Sequence, residues 1–312
     1  MDNMNTPSQL ASKSEVNQPV AIPEEAFDWY DEYAHGDIDR RTFLKRLATM
    51  AGAGVTLSML STALLPNYAL AEQVSFNDDS ITATYETFDS PLGLGEGRGY
   101  FVTPKKVDGK LPVVLVIHEN RGLNPYVKDV ARRLAKAGYI AFAPDILHTL
   151  GGYPGNDDQG KVMQKSLDKA KVEQDFIAAA QFLKAHPLSS GKLGAVGFCF
   201  GGYIVNMLAA TIPETIDAGV PFYGTPAKAE LRKNIKAPLL IQLAENDKRV
   251  NAYLAEHEAD LKKYNVDYKV YIYEKCQHGF HNDSTARYNP EMADLAWDRT
   301  LDFFSKNLEM KS

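Results

Sequence analysis

With 312 residues, 45% of them hydrophobic and 24% charged, the chain has ordinary globular composition and can bury a large core, which excludes a fibrous or largely disordered protein. Its formal net charge of -6, without long basic runs, argues against nucleic acid as a partner. Two cysteines, Cys199 and Cys276, cannot build a disulfide framework, and neither has metal-ligand spacing, so no metal and no cofactor is expected.

Residues 1–38 form a polar leader, in which the acidic and aromatic run from Pro23 to Tyr33 reads as a short amphipathic helix. Residues 39–71 carry the parts of a twin-arginine export signal. Asp39-Arg40-Arg41-Thr42-Phe43-Leu44-Lys45-Arg46 precedes an uncharged stretch from Leu47 to Leu65, and Ala69-Leu70-Ala71 supplies small residues for a cut after Ala71. Asp39 departs from the usual Ser or Thr, and the leader is long for such a signal. This reading implies the twin-arginine machinery as a partner and a periplasmic destination. The uncharged stretch is also long enough to span a bilayer, so a membrane anchor competes with cleavage, and a cytoplasmic protein is the remaining alternative. Residues 72–312 contain no linker or repeat and read as one domain, a monomer or small homo-oligomer.

Ser80 to Phe88 and Arg98 to Thr103, joined by Pro91-Leu92-Gly93-Leu94-Gly95-Glu96-Gly97, predict an antiparallel hairpin. Those glycines lead into a strand and not a helix, so they do not make a dinucleotide cradle. Apolar runs follow at Pro112 to Ile117, Tyr139 to Ala143, Lys192 to Val196, Ala218 to Phe222, Pro238 to Ala244 and Tyr268 to Tyr273. Their continuous apolarity suits strands buried on both faces. Helical runs at Asn124 to Ala137, Ser166 to Ala185, Phe200 to Ala210, Ala252 to Tyr264 and Glu291 to Leu308 separate most of them. The alternation predicts an α/β fold: a mostly parallel sheet with helices on both faces. Functional residues in such a sheet are expected just past the carboxyl ends of the strands.

Gly197-Phe198-Cys199-Phe200-Gly201-Gly202, between a strand and a helix, has the pattern of a nucleophile elbow. The sharp turn strains its apex residue and requires small residues two positions to either side, which Gly197 and Gly201 supply. Cys199 at the apex implies attack by sulfur on an acyl carbon; the bland alternative is a buried structural cysteine. Past later strands come Asp247 and His278, in the nucleophile, acid, histidine order of α/β hydrolases. Histidine can take the thiol proton near neutral pH, and a carboxylate can fix its tautomer. Taken singly, Asp247 reads equally as a helix N-cap, and Glu245 is a stand-in for it. After the strand ending at Ile117, the backbone N–H of Asn120, with that of Phe200, is placed for an oxyanion hole. Glu119 falls beside the thiol, or else forms an ion pair with Arg121. His278 and His281 lack a third metal ligand. Cys276, two residues before His278, reads as a core filler, with a regulatory disulfide to Cys199 as a further possibility in an oxidising compartment.

Together Gly197-Phe198-Cys199-Phe200-Gly201-Gly202, Asp247, His278-Gly279-Phe280 and His118-Glu119-Asn120-Arg121-Gly122-Leu123 resemble the dienelactone hydrolase (carboxymethylenebutenolidase) family over roughly Ser80 to Leu308. The resemblance implies an α/β-hydrolase fold and cleavage of a lactone or small ester through a thioacyl-enzyme. It makes Cys199 the nucleophile, His278 the base and acid, and Asp247 the orienting partner. It also implies that Glu119 holds the resting thiol in check until substrate arrives, which would spare it oxidation. Members bind a substrate carboxylate with two arginines. One lies four residues after the histidine, which is Asn282 here, and the other lies in a stretch, Pro144 to Asp175, that has none here. Arg121 and Arg287 are the candidate replacements. A general carboxylesterase or thioesterase, and a catalytically silent binding protein of the same fold, are the competing functions.

Overall fold

The computed structural model describes residues 22–51, 56–64 and 66–308, and the chain forms two compact units, 1–63 and 64–312. In the first unit, helix α1 (Glu24–His35) confirms the short helix expected there and ends at Gly36, whose left-handed backbone (φ 85°) lets its N–H reach back to Tyr33 O. Helix α2 (Arg40–Met50) starts on Asp39, which accepts from Thr42 N at 2.7 Å and so does the N-capping that Ser or Thr does elsewhere. The two helices meet through Phe43, stacked on Tyr33 at 5.0 Å and edge-on to Tyr30 at 5.9 Å, with Arg46 bonded to Glu32 at 2.6 Å. Helix α3 (Leu57–Leu64) follows; part of the expected Leu47 to Leu65 stretch, residues 52–55 and 65, lies outside the described residues. Among the described residues no helix is long and apolar enough to cross a membrane.

The first helix lying wholly within the second unit is the short α4 (Tyr68–Ala71). The hairpin of β1 (Ile81–Ser90) and β2 (Gly95–Pro104) pairs from Ile81 with Pro104 to Ser90 with Gly95. Then come β3 (Leu111–Ile117), α5 (Pro125–Lys136), β4 (Ile140–Pro144), α6 (Asp157–Ser166), α7 (Lys169–Ala185), β5 (Ser189–Phe198) and α8 (Phe200–Thr211). The chain continues through β6 (Ala218–Phe222), β7 (Leu239–Asn246), α9 (Lys248–Asn251), α10 (Leu254–Lys263), β8 (Tyr268–Gln277) and α11 (Pro290–Asn307). The sheet runs β1-β2-β4-β3-β5-β6-β7-β8, antiparallel up to the β2-β4 pair and parallel from β4 onward.

Strand alternation explains the two layers. Val114 and Val116 of β3 face Val127, Val130 and Leu134 of α5, with Phe304 of α11 in the same core. Val113, Leu115 and Ile117 face the opposite core, with Phe176 and Leu183 of α7 and Ile204 and Leu208 of α8. Fully burying one such side chain contributes roughly 1.5–3 kcal/mol, so a strand apolar on both faces is stable only between two helical layers.

The helix expected from Ser166 to Ala185 is α7, starting at Lys169, and the periodicity misses α6 ahead of it. The sequence Asp157 to Ser166 is too polar to show an apolar stripe, and Asp168 caps α7 by accepting from Lys171 N at 3.1 Å. Long-range contact holds α6 in place. Gln164 accepts from Gly122 N at 2.9 Å, and a Cβ on Gly160 would come within 2.3 Å of Arg121 O.

Candidate active site

Cys199 sits between β5 and α8 with φ 55° and ψ -112°, a left-handed backbone that a residue with a side chain rarely adopts. Its own N–H donates to Phe222 O at 3.0 Å, which ties the apex to β6. A Cβ on Gly197 would lie 2.2 Å from Gly201 O, and one on Gly201 would lie 2.2 Å from Ile117 O. The glycines therefore let the turn close and bring the start of α8 against the end of β3. That contact sets Phe200, in the first turn of α8 where backbone N–H groups lack helical partners, with its ring 6.2 Å from that of His118, two residues before Asn120.

Asp247 and His278 are side by side because Asn246 of β7 pairs with Gln277 of parallel β8, and each residue is the next one along. His278 Nδ1 lies 2.5 Å from Asp247 Oδ2, with both side chains almost wholly buried. Asp247 Oδ1 meanwhile accepts from Val250 N at 3.1 Å, so Asp247 is both cap and imidazole partner. Glu245 instead accepts from Lys275 N at 2.7 Å. Tyr223, buried just past β6 with φ 37°, packs its ring 4.9 Å from that of His278. Sequence reasoning passes over Tyr223, although its position directly after a strand end is the signal that could have found it.

Glu119 is 7% exposed at the end of β3. Burial holds its carboxyl above the usual range, reinforced by negative charge on Cys199 and opposed by Arg121, Arg287 and His278. Asn282 Nδ2 donates to Glu119 Oε2 at 2.8 Å. Ser284 fixes that amide by donating to Asn282 Oδ1 through its N–H at 3.1 Å and its hydroxyl at 2.6 Å. Asn282 thus gives Glu119 a neutral donor. Arg287 lies over the histidine loop, where a Cβ on Gly279 (φ 83°) would be 2.9 Å from its Nη2. Arg121 Nη1 bonds Asp157 Oδ2 at 2.8 Å, so its ion pair reaches into α6.

His281 belongs to the core: its Nδ1 is 2.7 Å from Tyr126 Oη, and its ring packs on Phe198. Cys276 is 1% exposed and a free thiol, as is Cys199, and burial pushes Cys276 up to about 12. Little thiolate is then available at Cys276 for disulfide exchange.

An eight-stranded, mostly parallel sheet carrying a strained elbow, with an acid and a histidine at neighbouring strand ends, defines an α/β hydrolase. The family model of the dienelactone hydrolase family matches residues 98–308, and the chain belongs to that family of hydrolases of carboxylic ester bonds. A second family model, described as YqhI-like, matches residues 18–53. A protein of Aquifex aeolicus, named by inference a carboxymethylenebutenolidase, is 36% identical over 222 residues, covering 68% of this chain and 94% of its own. One from Bradyrhizobium, named by inference a 2-oxo-3-(5-oxofuran-2-ylidene)propanoate lactonase, is 33% identical over 222 residues, covering 66% and 88%. A crystal structure from Klebsiella pneumoniae, described by inference as a dienelactone hydrolase, superposes with a TM-score of 0.63 at 26% identity, covering 72% of this chain and 99% of that one.

Proposed function

We propose that the chain hydrolyses lactones or small carboxylic esters with Cys199 as nucleophile, His278 as base and acid, and Asp247 as its orienting partner. The observation that carries this is the positive φ of Cys199 at a glycine-flanked turn between a strand and a helix, a strain worth on the order of 1–3 kcal/mol. In the first half-reaction Cys199 Sγ bonds to the acyl carbon while its proton passes to His278 Nε2 and the carbonyl pair moves onto oxygen. The backbone N–H groups of Asn120 and Phe200 receive that oxyanion. Collapse breaks the ester C–O bond, and the alkoxide takes the proton from His278, leaving a thioacyl-enzyme. Water then gives a proton to Nε2 as its oxygen attacks the thioester carbon. Collapse expels the sulfur, which recovers the proton, so one water is consumed and an acid and an alcohol result, joined in one molecule when the substrate is a lactone.

Glu119 tunes the thiol in this reading. Negative charge on the half-buried Cys199 raises the buried carboxyl of Glu119, so the two groups resist ionising together. Arg121 and Arg287 are the groups we assign to a negatively charged part of the substrate, on the support of their burial and their effect on Glu119. Lactones lead the substrate class because the names of the relatives point to them. The paired Arg40 and Arg41 are the basis for proposing export by the twin-arginine route.

The test is a panel of lactones, aryl esters and thioesters, with Cys199→Ala expected to lose turnover by about 10³-fold or more. Wild-type rates in that variant would overturn the thiol mechanism. Turnover confined to thioesters or simple esters would move the activity to a general esterase, and none at all in the wild type to a binding protein.

A further inference from the structure

Residues 67–74 lie in front of the part of the chain that matches the hydrolase family, yet residues 67, 68 and 72–74 are bonded to it. Asn67 N donates to Ser284 O at 2.6 Å, Gln73 Nε2 to Asp283 Oδ2 at 2.8 Å, and Val74 N to Asp129 Oδ1 at 2.8 Å. Arg132, itself buried, donates to Val74 O at 2.5 Å and pairs with Glu72 at 3.0 Å. Among these contacts one leads to the active site. Tyr68 Oη lies 2.8 and 2.9 Å from the two carboxylate oxygens of Asp157, accepts from Asn124 Nδ2 at 2.9 Å, and Asp157 in turn holds Arg121.

We propose that Tyr68 and Asp157 are positioning residues that set the Arg121 guanidinium beside Glu119 and Cys199 for an anionic substrate; the inference rests on the function proposed above. The chemistry of the cluster supports it. Asp157 also accepts from Tyr153 Oη at 2.7 Å, so two phenols and a guanidinium donate to one carboxylate at the start of α6, where the helix dipole favours an anion. The phenols take up part of the Asp157 charge, which anchors one edge of Arg121 without neutralising the whole cation. Asn124 is held in turn as the cap of α5, accepting from Val127 N at 3.2 Å, so the hydroxyl of Tyr68 is oriented from both sides. A charged fork needs such support, because a displacement of about 1 Å forfeits much of the binding it could give.

A cut after Ala71 separates Tyr68 from the enzyme, whereas a cut or break ahead of residue 66 leaves the cluster whole. The working enzyme accordingly retains Tyr68.

The experiment compares Tyr68→Phe and Asp157→Asn in the full chain on matched aryl esters, one neutral and one bearing a free carboxylate. The readout is the ratio of kcat/KM on the anionic ester to that on the neutral one, with KM resolved from kcat. Loss of a hydrogen bond to a charged group predicts a fall in this ratio of about tenfold for Tyr68→Phe and about fiftyfold for Asp157→Asn, carried by KM. Equal losses on both esters, or an unaltered ratio, would overturn the assignment. So would an active wild-type enzyme whose intact mass begins at Glu72 and whose ratio equals that of the full chain. If Cys199→Ala keeps wild-type turnover, the nucleophile assignment falls first; if it is inactive while Tyr68→Phe keeps the wild-type ratio, only the positioning role falls.

Discussion

The two sides of the site are built by different means. On one side Asp247 and His278 owe their contact to strand register alone: parallel pairing of Asn246 with Gln277 leaves the next residue of each strand facing the other at 2.5 Å. On the other side Glu119 and Arg121 end a single strand, but their partners Asn282, Asp157 and, at one remove, Tyr68 come from three distant stretches of chain. The first arrangement is hard to perturb by evolution and hard to vary; the second can be retuned by one substitution in a loop or in α6. Under the proposed function, chemistry falls to the first side and substrate choice to the second, which is how a common scaffold hosts different specificities.

The largest effect expected from breaking the first side is on turnover. Asp247→Asn leaves the cap on Val250 available but removes the carboxylate that fixes the imidazole, so kcat is expected to drop by about 10³–10⁴-fold, measured with any substrate the wild type accepts. A fall of less than tenfold would mean that another acid orients His278. Next in size is Gly201→Ala. Its methyl group would lie 2.2 Å from Ile117 O, a backbone atom that cannot move aside, so a loss of about 2–3 kcal/mol is expected by chemical denaturation, together with loss of activity. Unchanged stability would show that the elbow relaxes freely.

The smallest effect sharpens the other side. Folding favours the protonated form of Glu119, whose pKa lies above 4.5. The stability this group contributes is present below about 4.5 and is lost as pH rises through its raised folded value. Glu119→Gln cannot ionise and keeps an oxygen for Asn282, so its thermal midpoint is expected to match the wild type in acid and exceed it increasingly toward neutral pH. A difference independent of pH would mean that Glu119 is not held protonated by its surroundings. The same variant should hydrolyse ester more slowly if the carboxyl tunes the thiol.

Much of the architecture could be read along the chain. Continuous apolar runs marked the parallel strands because each such strand must be covered on both faces, and every expected strand is present with its ends shifted by a few residues. Helix α6 escaped notice since its polar sequence carries no period, and its place is set by Gln164 and Gly160 against residues 121–122. The site divides in the same way. Gly197 and Gly201 announce the elbow through a local steric need and Tyr223 shows only its place after a strand end, whereas nothing local marks Asn282 as the donor to Glu119.

The amino-acid order by itself determined the α/β layering, the strained turn at Cys199 and the succession of Asp247 and His278, because backbone sterics and hydrophobic period act over a few residues. Only tertiary structure decided that Asp247 and not Glu245 meets the imidazole, that Glu119 receives an amide, and that Tyr68 reaches Asp157 across the catalytic unit. Burial and charge at a point in space depend on every segment packed there, and no single stretch of sequence contains that sum.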